Sequence, residues 1–262
     1  MTRTCDVGKG ASVNTMNRRQ ALRTGSLVAV GGVTLAGPAI AGGAEQSFRH
    51  GVASGDPLPD SVLLWTRLTP SADATPGSGR GSESGVGWEV AHDEAFRRVV
   101  RSGTAVASPA WGHSVHVDVG GLAPARWYHY RFVVGDEVSP VGRTRTAPAP
   151  GHRRDPARFV FGSCQNWQQG HWPLWAHAPS EDPDLVVHLG DYIYEGGIST
   201  SGVRRHNSGE VRTLEEYRNR YGLYKGDPAL QAAHAACPWI VTWDDHEVEN
   251  NYAGLLPEDP AE

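Results

Sequence analysis

Cys164, Asp191 with Tyr194, and Asp245 with His246 each stand just after a short apolar run. The three segments are Arg158-Phe-Val-Phe-Gly162-Ser163-Cys164, Leu185-Val-Val-His-Leu-Gly190-Asp191-Tyr-Ile-Tyr194-Glu195, and Trp239-Ile-Val-Thr-Trp-Asp244-Asp245-His246-Glu247-Val-Glu-Asn250-Asn251. Thiol, carboxylate, phenol and imidazole are metal-binding groups. Acidic ligands packed closely repel one another unless a multivalent cation neutralises them, so the pattern predicts a metal site. Gly190 lets the backbone turn sharply before Asp191, which makes that carboxylate the firmest candidate. Asn250 is a weaker oxygen ligand and could equally cap a following helix. Plainer roles compete: packing for Cys164, an aromatic wall for Tyr194 and Tyr192, a core position for His188. Gln165, Asn166 and Trp167 are expected to wall a pocket.

For these side chains to meet, their apolar runs must be parallel strands of an open α/β sheet, whose carboxyl ends share one ligand crevice. From Arg158 onward the chain reads strand, loop, helix. Thr213-Leu-Glu-Glu216 has capping-box spacing, with Leu214, Tyr217, Tyr221 and Tyr224 following on one face as core packing. Asp227-Pro228 places an N-cap before a proline at the first helical position, opening a helix to Ala236 that Pro238 ends. Residues 48–147 read differently. Ser61 to Arg67, Gly87 to Ala91, His113 to Val119 and Tyr128 to Val134 alternate apolar with polar residues, the period of half-buried strands. The stretch from Ala147 to Pro156 is Pro-rich. Expected domains are therefore a β-sandwich over 45–147, a linker over 148–157 and an α/β body over 158–262.

The first 44 residues read as an export signal. Arg18-Arg19 forms a twin-arginine pattern, residues 24–44 carry no charge, and Ala39-Ile40-Ala41 supplies a small-x-small cleavage site. Met16 offers an alternative start. The Gly-rich, Pro38-interrupted stretch is a poor membrane anchor, since spanning takes roughly 20 strongly apolar residues. The expected destination is therefore outside the cytoplasmic membrane: secreted, periplasmic or wall-associated, through the twin-arginine machinery. A net charge of −5 with scattered Arg and Lys argues against nucleic acid as a partner. Of three cysteines, Cys5 precedes Met16, which leaves Cys164 and Cys237. A metal-binding Cys164 would exclude a disulfide between them, and Cys237 reads as a small core residue.

The Gly-Asp191-Tyr-Ile-Tyr194-Glu and Trp-Asp-Asp245-His246-Glu motifs resemble those of PhoD-type alkaline phosphatases, a branch of the calcineurin-like metallophosphoesterases. Upstream, Phe48 to Pro57 and Leu64-Trp65-Thr66-Arg67 resemble the start of that family's accessory domain. The resemblance implies a fibronectin type III-like sandwich followed by the first part of an α/β metallophosphatase sandwich. It implies release of phosphate from mono- or diesters by metal-activated hydroxide. Two ions about 3.5–4 Å apart would hold the nucleophile and clamp the phosphate. By the same resemblance Asp191 bridges the ions. Cys164 and Tyr194 suit ferric iron (Fe3+), and Asp245 and Asn250 suit calcium (Ca2+). His246 would orient the phosphate or leaving group. Asp245 stands where the family has Asn, and Asp244 where it has Gly, with no role assigned to Asp244. No further ligand block follows Asn251, so the resemblance covers the first part of the catalytic domain. Two rivals remain: a non-catalytic remnant that only binds a surface or partner, and a carbohydrate-active enzyme using paired carboxylates.

Overall fold

Alternation in Ser61–Arg67 sends Val62 and Leu64 to one side, and both are fully buried in strand β2 of the computed structural model. The structure describes residues 47–151 and 156–258; the expected export signal and part of the expected linker lie outside them. Around β2 stand β1 (Val52–Gly55), β3 (Ser84–Ala91), β4 (Val99–Ala107), β5 (Ser114–Gly120), β6 (Trp127–Val134), β7 (Glu137–Val138) and β8 (Gly142–Arg145). One sheet runs β4-β3-β6-β7, with β8 on β6, and it faces β5-β2-β1 of the other. Val86, Val90, Tyr130 and Phe132 from the first meet Val62, Leu64, Val115 and Val117 from the second. The Tyr128 hydroxyl accepts the Ala123 N–H at 2.8 Å, the tyrosine corner of such sandwiches. This is the β-sandwich expected from the alternation, with the fibronectin type III-like form that the family resemblance implied.

The second layer does not stop at β1. Strands β9 (Phe159–Gly162), β10 (Leu185–His188) and β11 (Trp239–Val241) form a parallel ladder, and β11 pairs in parallel with β1. The Asp56 N–H donates to the Trp239 carbonyl at 3.1 Å. One six-stranded mixed sheet, β5-β2-β1-β11-β10-β9, therefore serves both halves. Ion pairs Arg143–Asp182 and Arg145–Asp184 add to that junction.

One face of the parallel ladder is covered by helices α1 (Pro173–His177), α2 (Leu214–Lys225) and α3 (Pro228–Ala236). Thr213 Oγ1 accepts the Glu216 N–H at 3.3 Å while Glu216 Oε2 accepts the Thr213 N–H at 2.9 Å, the reciprocal box that starts α2. Asp227 Oδ1 caps α3 through the N–H groups of Ala229 and Leu230. The expected face of α2 needs correcting at its start only. Leu214, at the first turn, is 62% exposed, whereas Tyr224 is buried and Tyr217 and Tyr221 pack against the core as expected, and Arg220 is buried as well. Arg220 donates to the carbonyls of Gly196 and Gly209 at 3.0 and 2.8 Å, so this face holds the loop after Tyr194 as well as packing.

Gln165 also departs from expectation. It is buried: its Oε1 accepts from Trp175 Nε1 at 2.6 Å and its Nε2 donates to the Tyr192 carbonyl at 2.8 Å, so it braces three elements rather than walling a pocket. Asn166 caps the short turn at Trp167–Gln169. His188 is fully buried between Tyr192 and Trp239, a core histidine as expected.

Candidate metal centre

Because β9, β10 and β11 are parallel with Gly162, His188 and Val241 in register, the segments that follow them leave from one end of the sheet. The first two turn through left-handed backbone, at Cys164 (φ 56°) and Asp191 (φ 53°). For non-glycine residues such conformations cost about 1–3 kcal/mol each and persist where surrounding structure imposes them, often at functional sites. Here one loop holds the other: the Cys164 N–H donates to Gly190 O at 3.2 Å and the Gln165 N–H to Asp191 O at 3.1 Å. Gly190 has φ 108°, and a Cβ there would lie 2.5 Å from Asp244 Cβ. Glycine thus lets the second and third loops touch.

Asp191, Asp245 and His246 each present one ligand atom, all within 4.8 Å of one another. Asp191 is buried; its Oδ2 accepts from the Tyr194 hydroxyl at 3.0 Å. Its Oδ1 is buried with no hydrogen-bond partner. A buried carboxylate oxygen left so is costly, and a cation is the partner that would satisfy it among a second carboxylate and an imidazole. Burial raises the Tyr194 pKa well above its ordinary value, with Asp191 and the Cys164 thiol adding to the shift. The phenol therefore keeps its proton and uses it to donate a hydrogen bond to Asp191. Cys164 touches this group through Tyr194 and stands outside the Asp191, Asp245 and His246 trio. The Asn251 N–H donates to Asp245 Oδ2 at 2.7 Å and is the main cause of that carboxyl's lowered pKa. The Asn250 side chain donates from Nδ2 to Glu258, and its backbone N–H donates to Glu195 Oε1 at 2.9 Å.

Two residues that sequence reasoning passed over shape the site. Glu195 Oε2 lies 2.8 Å from His246 Nδ1, so the carboxylate accepts a hydrogen bond from Nδ1–H and fixes the orientation of the ring. The His246 ring also packs on Tyr194, centroids 4.1 Å apart. Glu247 accepts backbone N–H groups from both carboxylate-bearing loops. The only sequence signals were position: Glu195 four residues after Asp191, and Glu247 three after Asp244, the spacing of a capping box.

Comparison with known proteins places the chain in a family. A family model described as PhoD-like phosphatase, N-terminal domain, matches residues 35–148, and one described as PhoD-like phosphatase matches residues 159–261. Alkaline phosphatase D of Bacillus subtilis (strain 168) is 54% identical over 217 residues, which cover 80% of this chain and 37% of that protein. A solved structure of PhoD superposes with a TM-score of 0.79 at 52% identity, over 85% of this chain and 43% of that one. The chain thus spans less than half the length of the relatives it matches. Across both halves of the shared sheet, it belongs to the PhoD-like phosphatase family.

Proposed function

We propose that this chain carries the metal-binding nucleus of an exported phosphoesterase that releases phosphate from phosphomonoesters or phosphodiesters. The observation that carries the reading is the unpartnered, buried Asp191 Oδ1 among the ligand atoms of Asp245 and His246. When bound, cations supply a hydroxide near neutral pH and offset charge on the phosphoryl oxygens. Asp191, with its unpartnered Oδ1, would help to hold them. Tyr194 and Cys164 favour ferric iron beside Asp191, while carboxylate and amide oxygens from Asp245 and Asn250 favour calcium. His246, oriented by Glu195, is placed to hydrogen-bond a phosphoryl oxygen or the leaving group through Nε2. Secretion by the twin-arginine route rests on the Arg18-Arg19 pattern, the uncharged stretch that follows it and the Ala39-Ile40-Ala41 site.

Hydrolysis of p-nitrophenyl phosphate and its bis-ester, with and without a chelator, tests the reading. Chelator-sensitive hydrolysis that Asp191→Asn abolishes is the expected result. Hydrolysis indifferent to both chelator and Asp191 would refute it. A second reading, of a metal-binding but non-hydrolytic span, is favoured by one observation. Phe161 and Ile240, on either side of Val187 in register, are 70% and 42% exposed on the face away from the helices. An open apolar face of this kind marks an interaction surface. Metal binding without hydrolysis of either ester would select that reading.

A further inference from the structure

Glu247 belongs to the chemistry-bearing run but not to the cluster of ligand atoms formed by Asp191, Asp245 and His246. Its two oxygens are spent on backbone. Oε2 accepts the Asp244 N–H at 2.7 Å and the Asp191 N–H at 3.0 Å, and Oε1 accepts the Tyr192 N–H. The first bond is local. Val248 and Glu249 N–H groups both donate to Asp245 O at 2.8 Å, closing a single helical turn. Glu247 reaches back over that turn to Asp244, as the third helical residue does in a capping box. The other two bonds cross to the loop after β10. At the same place Gly190 brings the two backbones together so closely that a Cβ would lie 2.7 Å from Asp244 N.

We propose that Glu247 is a positioning residue: its carboxylate ties the Asp191 loop to the Asp245 loop and so sets the cation affinity of the centre. This rests on the metal-centre reading above. Two like-charged carboxylates repel until a cation arrives, so an untied pair of loops drifts apart and the ion must gather them on binding. Three N–H bonds to an ionised carboxylate are charge-assisted and resist that drift. They also occupy three of its roughly four lone-pair sites, which leaves Glu247 poorly placed to ligate. A plain packing role does not fit, because Glu247 is only part-buried and makes its bonds to two loops at once. Asp244 gains a role from the same arrangement: it contributes its N–H, while its side chain stays exposed.

The test compares the whole chain with Glu247→Gln, which keeps the shape but points an amide donor at backbone N–H groups. Tb3+, read by sensitised luminescence, serves as the probe cation, and amide hydrogen exchange is followed by NMR. In the wild type, the Asp191, Tyr192 and Asp244 amides should be protected, and Tb3+ should slow their exchange further while amides of β2 stay unchanged. Glu247→Gln should lose the protection at those three positions and bind Tb3+ about 10–100-fold more weakly, the usual cost of removing an outer-shell partner. Equal affinity in the variant and the wild type would overturn the proposal. Should the variant unfold, the wild-type exchange decides: no response of the three amides to Tb3+ overturns it. A wild type that binds no Tb3+ at all would sink the metal-centre reading and this proposal together.

Discussion

At the residue scale, the informative group is Tyr194. Its phenol keeps its proton because burial disfavours the phenolate and the neighbouring Asp191 and Cys164 disfavour it further. A cation between Tyr194 and Asp191 would have to replace that proton, so ferric ion binding should release it and tighten as pH rises. The expected outcome is a visible charge-transfer band with Fe3+, together with acidification of a weakly buffered solution. Tyr194→Phe should lose the band and the proton release. A colourless complex that binds iron equally well in both proteins would remove Tyr194 from the ligand set. The types and order of Cys164, Asp191, Tyr194, Asp245 and His246 could be read directly from the sequence, because ligand chemistry follows strand ends. Glu195 and Glu247 could not, since their partners are an imidazole and backbone N–H groups more than fifty residues away, set by folding alone.

At the element scale, strands with strong alternation and helices with reciprocal caps were legible, while β1, β4 and β8 were not. β4 carries Arg101, Ser102 and Gly103 in its middle and lies largely exposed, so its pairing with β3 rather than its own pattern makes it a strand. The contact between elements creates a buried basic cluster that no local pattern announces. Burial lowers His50 to about 3, with nearby Arg67 and Lys225 adding to the shift, and burial lowers His188 to about 4. His234, stacked on Trp239 with centroids 3.8 Å apart, is pushed well below its ordinary value, again first by burial. These rings fold neutral but unfold as bases of ordinary strength. As pH falls below about 6.5 the unfolded chain takes up protons that the folded one refuses, so stability drops until the folded values are reached. Each ring contributes about 1.4 kcal/mol per pH unit within its window. Urea unfolding between pH 7 and pH 4 should show this loss, and His234→Gln should make the slope shallower. A stability profile flat to pH 5 would contradict the cluster's burial.

At the scale of the whole molecule, the sequence suggested two bodies joined by a Pro-rich connector, whereas the folded chain shares one sheet between them. The reason is physical. A strand pairing such as Gly55 with Trp239 leaves no mark on either segment's composition, and only the register of the completed sheet reveals it. That continuity matters for the site, because β11 is flanked by β1 on one side and β10 on the other, which fixes where Asp245 and His246 emerge. Among the described residues no helix is long and apolar enough to cross a membrane. The ends of the parallel strands β10 and β11 are proposed to converge on one metal centre, formed by Asp191, Asp245 and His246. The direct test is a crystal of the chain soaked with Mn2+ and examined for anomalous scattering. The predicted result is a peak within about 2.0–2.6 Å of Asp191 Oδ1, with Asp245 and His246 around it. Peaks found only elsewhere, with Asp191 Oδ1 hydrogen-bonded to protein instead, would contradict it.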